Sequence, residues 1–372
     1  MNDTDNRYMK LALALSARGL GKTAPNPAVG CVIVQNGRIV GRGVTAIGGR
    51  PHAEIMALSQ AGPAARGADV YVTLEPCCHH GHSPPCTDAL VDAGVARVIV
   101  ATQDPNPQVN GAGIAQLRGA NVDVSVGVGD EQARRVNAGF FSVINQARPS
   151  VTLKLAASLD GRIATASGES KWITRADARR RVHAMRARHD AVMIGGGTAR
   201  ADDPGLTVRA MGMAPQPARV VLSRRLDLPL QSQLASTAQA VPVLIFHGQD
   251  AAPELVSAWQ GLGAILHLVP TDASQRLSPK ACLEILAKSG ITRVLCEGGG
   301  ALAASLLAAD LVDELHLFTA GLAIGADGRP LLADLGVNRL GDAPNLSLQS
   351  HQSIGNDLLS IWRRPAPDVS IS

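Results

Sequence analysis

The chain has 372 residues, of which 46% are hydrophobic, and its formal net charge is +4. This length is too great for one typical core and favours two domains of roughly 100–200 residues each. The four Phe, three Trp and two Tyr are too few for base-stacking platforms, and no run of Lys or Arg resembles a nucleic-acid tail. We therefore expect a small-molecule partner and no nucleic acid.

The N-terminal ten residues, MNDTDNRYMK, are polar and acidic, and no apolar run reaches membrane-spanning length. Three of the six cysteines are clustered and the other three are scattered in apolar segments, whereas the disulfide framework of a small secreted protein would spread them more evenly. These features predict a cytoplasmic protein without a membrane partner. The cysteines are Cys31, Cys77, Cys78, Cys86, Cys282 and Cys296.

The first 145 residues predict a β-hairpin followed by alternating helices and strands. Apolar residues recur at helical spacing over 7–18, and two β-branched runs flank Asn36-Gly37, a strong hairpin signal. Such a hairpin followed by βαβ units is typical of a mixed sheet with helices on both faces. The later predicted elements are a helix over 52–62, a strand over 68–74, a helix over 86–94 and a strand over 96–102.

A polar stretch with a proline, residues 146–150, indicates a junction, after which the α/β alternation restarts. We predict two domains, 1–147 and 148–372, and assign both to the α/β class. The predicted elements of the second are strands over 151–158, 190–195, 218–223, 242–246 and 293–298, and helices over 175–190 and 301–309.

The stretch LEPCCHHGHSPPC, residues 74–86, contains three cysteines and three histidines, and PHAE lies upstream at 51–54. A catalytic zinc commonly takes three protein ligands and leaves the fourth position to water, whose pKa it lowers. His52, Cys77 and Cys86 are the predicted ligands, since a proline precedes Cys77 as in the zinc deaminase signature. Glu54, two residues after His52, would move a proton between water and a leaving amine. The spacing departs from the signature, because eight residues rather than two separate the cysteines.

Two other interpretations of this stretch stay open. A structural zinc would need a fourth ligand, which His79, His80 or His82 offers. In the other interpretation the stretch is a polar loop that binds no metal, and Glu54 is an ordinary residue of a surface helix.

Three motifs resemble the deaminase half of the bifunctional riboflavin-biosynthesis deaminase–reductases: TAPNPAVGC (23–31), PHAE (51–54) and EPCCHHGHSPPC (75–86); DPNPQVNGAG (104–113) resembles that family's next motif. The resemblance implies a cytidine-deaminase-like fold and a phosphorylated diaminopyrimidine substrate. It implies that Asn26 and His79 contact the pyrimidine or its ribose phosphate, and that Asp104 and Asn106 shape the pocket wall. The chain departs from the family pattern at Thr45, Cys78 and His82, and two of these changes, Thr45 and His82, fall near the expected phosphate side.

The second half contains glycine turns at two predicted strand ends, GGGT (195–198) and EGGG (297–300). Open α/β sheets bind ligands at such ends, and a glycine turn that opens a helix presents N–H groups to phosphate. Each motif alone is often only a tight turn, and the spaced fingerprint of a Rossmann dinucleotide site is absent from this sequence.

With LKLAASLDGRIA (153–164) and SGESKWIT (167–174), these turns resemble the reductase half of the same family. The resemblance then spans roughly 5–365 and implies a dihydrofolate-reductase-like fold, NADPH as hydride donor and a homodimer formed through this half. The residues implied along NADPH are Ala156, Trp172, Thr198, Asp202, Gly299, Gly300, Ala301 and Ser305. Those implied along the substrate are Lys154, Ser170, Arg186, Leu206, Arg209 and Glu297.

The chemistry of these side chains agrees with the implied roles. Arg186 and Arg209 are suited to clamp a ribose phosphate. Lys154 could stabilise the opened sugar, and Asp202 or Glu297 could order its hydroxyls or pass a proton. Considered without the family resemblance, Arg186 would be one arginine of a solvated helix face, and Trp172 would be a core residue. Arg224, where the family has another residue type, is a candidate for contact with the 2′-phosphate of NADPH.

The sequence thus predicts a bifunctional enzyme that contains Zn²⁺ and uses NADPH. It would remove an exocyclic amine from a pyrimidine ribotide and then reduce the ribosyl group to ribityl. Two rival hypotheses are an oligonucleotide-editing deaminase and a non-enzymatic, zinc-stabilised binding module. Deamination of an oligonucleotide would favour the first, and loss of fold on zinc removal would favour the second.

Overall fold

The computed structural model describes residues 3–79, 84–212, 215–272 and 275–365. The chain divides into two compact units, Met1–Ala147 and Arg148–Ser372. Within the described residues, every helix is too short or too polar to be a membrane-spanning segment.

The first unit is a five-stranded mixed sheet in the order β2-β1-β3-β4-β5. Its β1–β2 hairpin is antiparallel and turns at Asn36-Gly37, as predicted, and both residues have positive φ. The elements are α1 (Asp3–Ser16), β1 (Gly30–Gln35), β2 (Arg38–Val44), α2 (Ala53–Ala61), β3 (Asp69–Val72), α3 (Cys86–Asp92), β4 (Arg97–Val100), α4 (Ala112–Gly119), β5 (Asp123–Val126), α5 (Asp130–Val136) and α6 (Ala138–Gln146).

Helices cover both faces of this sheet, which confirms the predicted layering. Helices α2, α3 and α4 pack on one face around Val70, Val72 and Val98, and α1 and α5 pack on the other around Val32 and Ile99. Strands β3 and β4 are buried along nearly their whole length, as expected for central strands that are covered on both sides.

The second unit contains a nine-stranded sheet in the order β11-β10-β9-β8-β12-β6-β13-β16-β15 and a two-stranded sheet, β14-β7. Its elements are β6 (Ser150–Ala157), β7 (Arg162–Ala164), α7 (Ala176–Arg186), β8 (Ala191–Gly195), α8 (Gly196–Asp202), β9 (Ala218–Leu222), α9 (Gln233–Ser236), β10 (Val243–His247), α10 (Pro253–Gly261), β11 (Ile265–Leu268), α11 (Pro279–Lys288), β12 (Arg293–Gly298), α12 (Gly300–Ala308), β13 (Glu314–Ala320), β14 (Arg329–Pro330), β15 (Ser347–Ile354) and β16 (Asp357–Arg363).

In the order given, each neighbouring pair of strands from β11 to β13 is parallel, whereas the pairs β13–β16 and β16–β15 are antiparallel. Parallel strands end at one edge of the sheet, so Ala157 of β6, Gly195 of β8 and Gly298 of β12 lie at the same edge. Strand β12 returns between β8 and β6, which makes this edge a topological switch point, the usual ligand site of an open α/β sheet.

Candidate active sites

Three elements of the first unit bring His52, Cys77 and Cys86 together. His52 is the N-cap residue of α2, Cys77 follows β3, and Cys86 is the first residue of α3. His52 Nδ1 lies 3.3 Å from Cys86 Sγ and 3.6 Å from Cys77 Sγ, and all three ligand atoms lie within 4.8 Å of one another. A tetrahedral zinc with bonds of about 2.0–2.3 Å would separate its ligands by roughly 3.5 Å, so this donor set fits the ion.

The surroundings of Cys77 favour a thiolate. The Cys86 thiol donates to the Cys77 sulfur, the Cys86 backbone N–H lies 3.4 Å from it, and His52 adds a further hydrogen bond. These contacts lower the pKa of Cys77 to about 4 although burial opposes the shift. The pKa of Cys86 is raised in turn, because its thiol is the donor to Cys77. A sulfur held as an anion beside an imidazole is a chemically suitable ligand pair for a divalent cation.

Glu54 lies in the first turn of α2 and is only 4% exposed. Burial raises the pKa of its carboxyl to about 7, and its side chain contacts the Cys86 thiol. A carboxyl whose pKa lies near neutrality can both take and return a proton, as general acid–base catalysis requires. Glu54, at its predicted helix position, is therefore a buried carboxyl with a pKa near neutrality that lies against the predicted zinc ligands.

The other polar residues of the 74–86 stretch stand apart from this cluster where the structure describes them. Cys78 Sγ lies 3.9 Å from the Gln108 carbonyl oxygen, and His79 is exposed. His80 and His82 lie outside the described residues, and so does the departure noted at His82. Within the described residues, the cluster that could hold a metal comprises three ligands.

Asn26 lies in the loop between α1 and β1. Its half-buried side chain packs on Gly49, where an added Cβ would come within 1.8 Å of Asn26 Nδ2. Gly49 also has a φ of 89°, a conformation that other residues rarely adopt. Thr45, the departure near this loop, is 4% exposed, and its hydroxyl accepts from the Val29 N–H at 2.9 Å. Thr45 therefore supports the start of β1 in this chain.

Glu75 belongs to the EPCCHHGHSPPC motif, but its role emerges only from the structure. Its carboxylate is 3% exposed and accepts the N–H groups of Asp104 at 3.1 Å, Gly111 at 3.0 Å and Ile114 at 3.1 Å. The 104–114 segment is thereby fastened to the residue two positions before Cys77. Position alone did not reveal this role, because the three donors are 29 to 39 residues away.

Asp104 and Asn106 form a turn on this segment. Asp104 Oδ1 accepts from the Asn106 N–H at 2.8 Å, and Asn106 Oδ1 accepts from the Gln108 N–H at 3.1 Å. Burial raises the pKa of Asp104 to about 6. One side-chain oxygen of each residue thus shapes the loop that carries it.

The glycine turns of the second unit lie at the switch-point edge described above. Gly298 and Gly299 both have a φ of 91°, and α12 begins at Gly300. An added Cβ at Gly299 would lie 2.8 Å from Thr198 Oγ1 on α8. The turn of residues 298–300, which we call the glycine cradle, therefore gives a ligand close access to the first backbone N–H groups of α12. Such N–H groups suit the phosphates of a dinucleotide. At GGGT the structure differs from the predicted turn, because α8 starts at Gly196 directly after β8.

A half-buried ion cluster adjoins this cradle. The Arg186 guanidinium donates to both Glu297 oxygens, at 2.5 and 2.7 Å, and to the Thr207 carbonyl oxygen at 2.9 Å. Burial lowers the pKa of Lys154, and the negative charge of Glu297 opposes this shift. In the structure Glu297 thus holds the Arg186 guanidinium at two points, and the predicted contact of Arg186 with a ribose phosphate stays a prediction.

Arg209, the second residue predicted to clamp the ribose phosphate, is exposed. The described residues supply no hydrogen bond or ion pair to its guanidinium, which is therefore accessible to a ligand. Its backbone N–H donates to His183 Nδ1 at 3.3 Å. Leu206, in contrast, is 3% exposed with a φ of 52° and packs in the core around β8 and β9. Only its backbone is therefore suited to contact a ligand.

The remaining predicted residues are mostly exposed. Trp172 is 69% exposed, and the Arg179 guanidinium lies 4.5 Å from its ring centre, so Trp172 is a surface aromatic and not a core residue. Ser170 and Asp202 are exposed; Ala156 is half-buried on β6; Ala301 is exposed; and Ser305 Oγ donates to the Ala301 carbonyl oxygen at 3.0 Å.

Arg224 follows β9 and is engaged in ion pairing. Its Nη1 lies 3.0 Å from Asp250 Oδ2 and 3.2 Å from Gln275 Oε1. One strand, β8, separates β9 from β12, so Arg224 follows a strand about 10 Å from the one that carries the glycine turn. A 2′-phosphate there would have to compete with Asp250.

Two family models match the chain. Residues 2–102 match the cytidine and deoxycytidylate deaminase zinc-binding region, and residues 149–360 match the RibD C-terminal domain. The expected fold class, a cytidine-deaminase-like unit followed by a dihydrofolate-reductase-like α/β unit, is confirmed.

Curated relatives and solved structures match nearly the full length. The riboflavin biosynthesis protein RibD of Aquifex aeolicus is 39% identical over 98% of this chain and 99% of its own, and that of Escherichia coli is 42% identical over 95% and 98%. The structure of RibD from Acinetobacter baumannii has a TM-score of 0.86 at 36% identity, covering 98% of this chain and 99% of that chain. A diaminohydroxyphosphoribosylaminopyrimidine deaminase/5-amino-6-(5-phosphoribosylamino)uracil reductase from Thermotoga maritima has a TM-score of 0.85 at 32% identity, with the same coverage.

Proposed function

The chain belongs to the family of the riboflavin biosynthesis protein RibD, and we propose that it is a bifunctional enzyme of riboflavin biosynthesis, a zinc-dependent pyrimidine deaminase and an NADPH-dependent reductase. The unit of residues 1–147 carries the deaminase and the unit of residues 148–372 the reductase. The substrate is a phosphorylated pyrimidine, 2,5-diamino-6-(5-phosphoribosylamino)pyrimidin-4-one. Its deaminated product, 5-amino-6-(5-phosphoribosylamino)uracil, is then reduced from ribosyl to ribityl.

One observation carries the deaminase assignment: His52, Cys77 and Cys86 present one nitrogen and two sulfurs within 4.8 Å, beside a buried carboxyl. These three residues would hold the zinc, which when bound would supply a water of lowered pKa and polarise it for addition. Asn26 and His79 position the pyrimidine ring and its ribose phosphate. The Glu75-fastened segment with Asp104 and Asn106 forms the wall behind the ligands.

Glu54 moves the protons of the deamination. As a carboxylate it takes a proton from the attacking water and passes it to the ring nitrogen beside the attacked carbon. It then takes the proton of the new hydroxyl group and delivers it to the exocyclic amine, which leaves as ammonia. Its raised pKa suits this double role, because a carboxyl that is too acidic would be a poor donor at neutral pH. The ring carbon that bore the amine becomes a carbonyl carbon in the product.

The reductase assignment is supported by the glycine cradle at Gly299 and Gly300 and by the charged cluster beside it. NADPH supplies the hydride when it is bound along Ala156, Trp172, Thr198, Asp202, Gly299, Gly300, Ala301 and Ser305. Lys154 and Glu297 face the sugar, and Arg186 orients Glu297 through its two-point contact. Arg209 and Ser170 hold the ribose phosphate near the backbone at Leu206, and Arg224 stays a candidate for the 2′-phosphate.

The coupled reaction tests both activities at once. The diaminopyrimidine ribotide is supplied with NADPH, and ammonia release and NADPH oxidation are followed before and after chelation of zinc. Both signals are expected with the metal, and both should stop without it, since the reductase then lacks its substrate. Adding the deaminated pyrimidine to the chelated enzyme should restore NADPH oxidation. Absence of both signals in the zinc-loaded enzyme would contradict the substrate assignment.

Replacement of Glu54 separates proton transfer from metal binding. Glu54→Gln should lower ammonia release by about 10²–10⁴-fold, the usual contribution of a general acid–base, while zinc content by metal analysis stays at one per chain. NADPH oxidation with the deaminated substrate is the internal control. Glu131→Gln, at a carboxylate that is 72% exposed, is the matched variant. Loss of zinc in Glu54→Gln would show that Glu54 acts on the metal site instead.

A homodimer through the second unit and a cytoplasmic location stay predictions. Strand β15 is exposed and lies at the edge of the nine-stranded sheet, where a second copy could extend the sheet. Light scattering of the purified chain measures its oligomeric state directly, and a monomer would contradict the dimer.

A further inference from the structure

Asp160, in the turn between β6 and β7, is exposed, yet its carboxylate accepts hydrogen bonds from three donors. Ser158 Oγ donates to Asp160 Oδ1 at 2.6 Å, the Gly325 N–H donates to Oδ2 at 2.6 Å, and the Ile324 N–H lies 3.1 and 3.3 Å from the two oxygens. The bond from Ser158, followed by those from Gly325 and Ile324, holds the pKa of Asp160 well below its usual range. The carboxylate therefore stays charged throughout the range in which the enzyme would work.

These bonds fasten the segment 321–333, which follows β13 and contains β14. The Leu159 N–H donates to the Leu322 carbonyl oxygen at 2.8 Å, and the Leu331 N–H donates to the Gly161 carbonyl oxygen at 3.0 Å. Strand β14 pairs with β7 between these two points. The segment 321–333 is thus attached along its length to the turn that Asp160 occupies.

The far end of the same segment touches the glycine turn. The Ala333 N–H donates to the Gly300 carbonyl oxygen at 3.2 Å, and an added Cβ at Gly300 would lie 3.1 Å from the Leu331 carbonyl oxygen. On its other side the segment meets the loop that leads to Ser170 and Trp172, because an added Cβ at Gly168 would lie 2.9 Å from Arg329 Nη2. One short segment therefore borders both regions assigned to the reductase ligands.

We propose that Asp160 is a positioning residue of the reductase: its carboxylate holds the segment 321–333 against Gly300 and so sets the shape of the cradle for NADPH. This inference rests on the proposed function of the second unit. The role requires a carboxylate because donors converge on both of its oxygens. An asparagine would offer one oxygen, and its NH₂ group would face backbone N–H groups.

The test compares Asp160→Asn with the wild-type full chain by three readouts. Hydrogen exchange of the peptide covering 322–333 should become faster, because its amides lose their anchor. The Kd for NADPH, measured by titration of NADPH fluorescence, and the KM for NADPH should each rise about tenfold, the usual effect of losing one charge-assisted hydrogen bond. The kcat at saturating NADPH should stay within about twofold, since the reacting groups are untouched. Ammonia release from the same chain should be unchanged.

Two further variants make the result specific. Asp160→Glu keeps the charge and should recover part of the affinity for NADPH. Asp334→Asn removes an exposed carboxylate just beyond the segment, for which the described residues supply no hydrogen bond, and should behave as wild type. Unchanged exchange and Kd in Asp160→Asn, or a fall in kcat at constant KM, would overturn the positioning role alone. A wild-type chain that does not bind NADPH would overturn the proposed reductase function and this inference together.

Discussion

Two buried carboxylates of the first unit, Glu54 and Glu75, illustrate how surroundings decide what a residue can do. Glu54 is buried against thiols, and its pKa rises to about 7, which suits proton transfer. Glu75 is equally buried, yet three backbone N–H groups converge on it. The first arrangement prepares a carboxyl for chemistry, whereas the second uses a carboxylate as a structural anchor.

Glu75→Gln should loosen the 104–114 segment. Glutamine keeps one acceptor oxygen and places an NH₂ group where a backbone donor now points, so at least one buried N–H loses its partner. The free energy of opening of this segment, measured by native-state hydrogen exchange, should fall by about 1–3 kcal/mol, and ammonia release should fall with it. Glu131→Gln is again the exposed control. Unchanged exchange at Gly111 and Ile114 would contradict the anchoring role.

At the level of elements, the position of α2 depends on close contact with β2. An added Cβ at Gly43 would lie 1.9 Å from the Ala53 carbonyl oxygen, and one at Gly41 would lie 2.3 Å from that of Ala57. The helix therefore rests directly on the strand backbone. His52 and Glu54 are at the start of this helix, so the distance between α2 and the sheet determines where both side chains lie.

Gly43→Ala should displace α2 and disturb the zinc site. The methyl group meets backbone atoms that cannot rotate away, so the first unit should lose about 1–3 kcal/mol of stability, the usual cost of overpacking. Zinc content and ammonia release should fall, while NADPH oxidation with the deaminated substrate should persist. The matched variant is Gly119→Ala, where an added Cβ meets no atom within 4 Å. Full zinc content in Gly43→Ala would show that the helix adjusts without moving His52.

At the level of the whole molecule, the two units can be followed separately. Trp172, Trp259 and Trp362 all lie in the second unit, so tryptophan fluorescence reports the unfolding of that unit alone. His189, in the same unit, is 6% exposed; it lies 2.7 Å from the Met185 carbonyl oxygen and 3.0 Å from Thr152 Oγ1. Burial lowers the pKa of His189 to about 3.

Acid should therefore destabilise the second unit from pH 6.5 downward. The unfolded chain binds a proton at His189 below about pH 6.5, whereas the folded chain excludes it until about pH 3, so stability falls as the pH falls between these values. The expected loss is roughly 2 kcal/mol between pH 7 and pH 5, measured by urea unfolding followed by tryptophan fluorescence. His189→Asn should reduce this dependence, and His351→Asn, at an exposed histidine, should retain it. Equal slopes in all three proteins would contradict the assignment to His189.

The local patterns of the sequence determined the hairpin at Asn36-Gly37, the central strands and the helices that begin near His52 and Cys86. They did so because turn residues, β-branched runs and apolar spacing act within a few residues of one another. The choice of His52, Cys77 and Cys86 came from the HAE motif and the proline before Cys77, although the spacing of the cysteines departs from the signature, and the structure brings those three side chains together. The fold class and the proposed zinc ligands could therefore be predicted from the sequence.

Only the tertiary structure decided how distant residues share their partners. The pairing of Arg186 with Glu297 joins positions 111 residues apart, and Asp160 meets Gly325 across 165 residues. A side chain that is suited to bind phosphate is equally suited to bind a carboxylate, so residue type alone cannot choose between them. Folding makes that choice, because it determines which opposite charge or backbone donor lies within reach of each group.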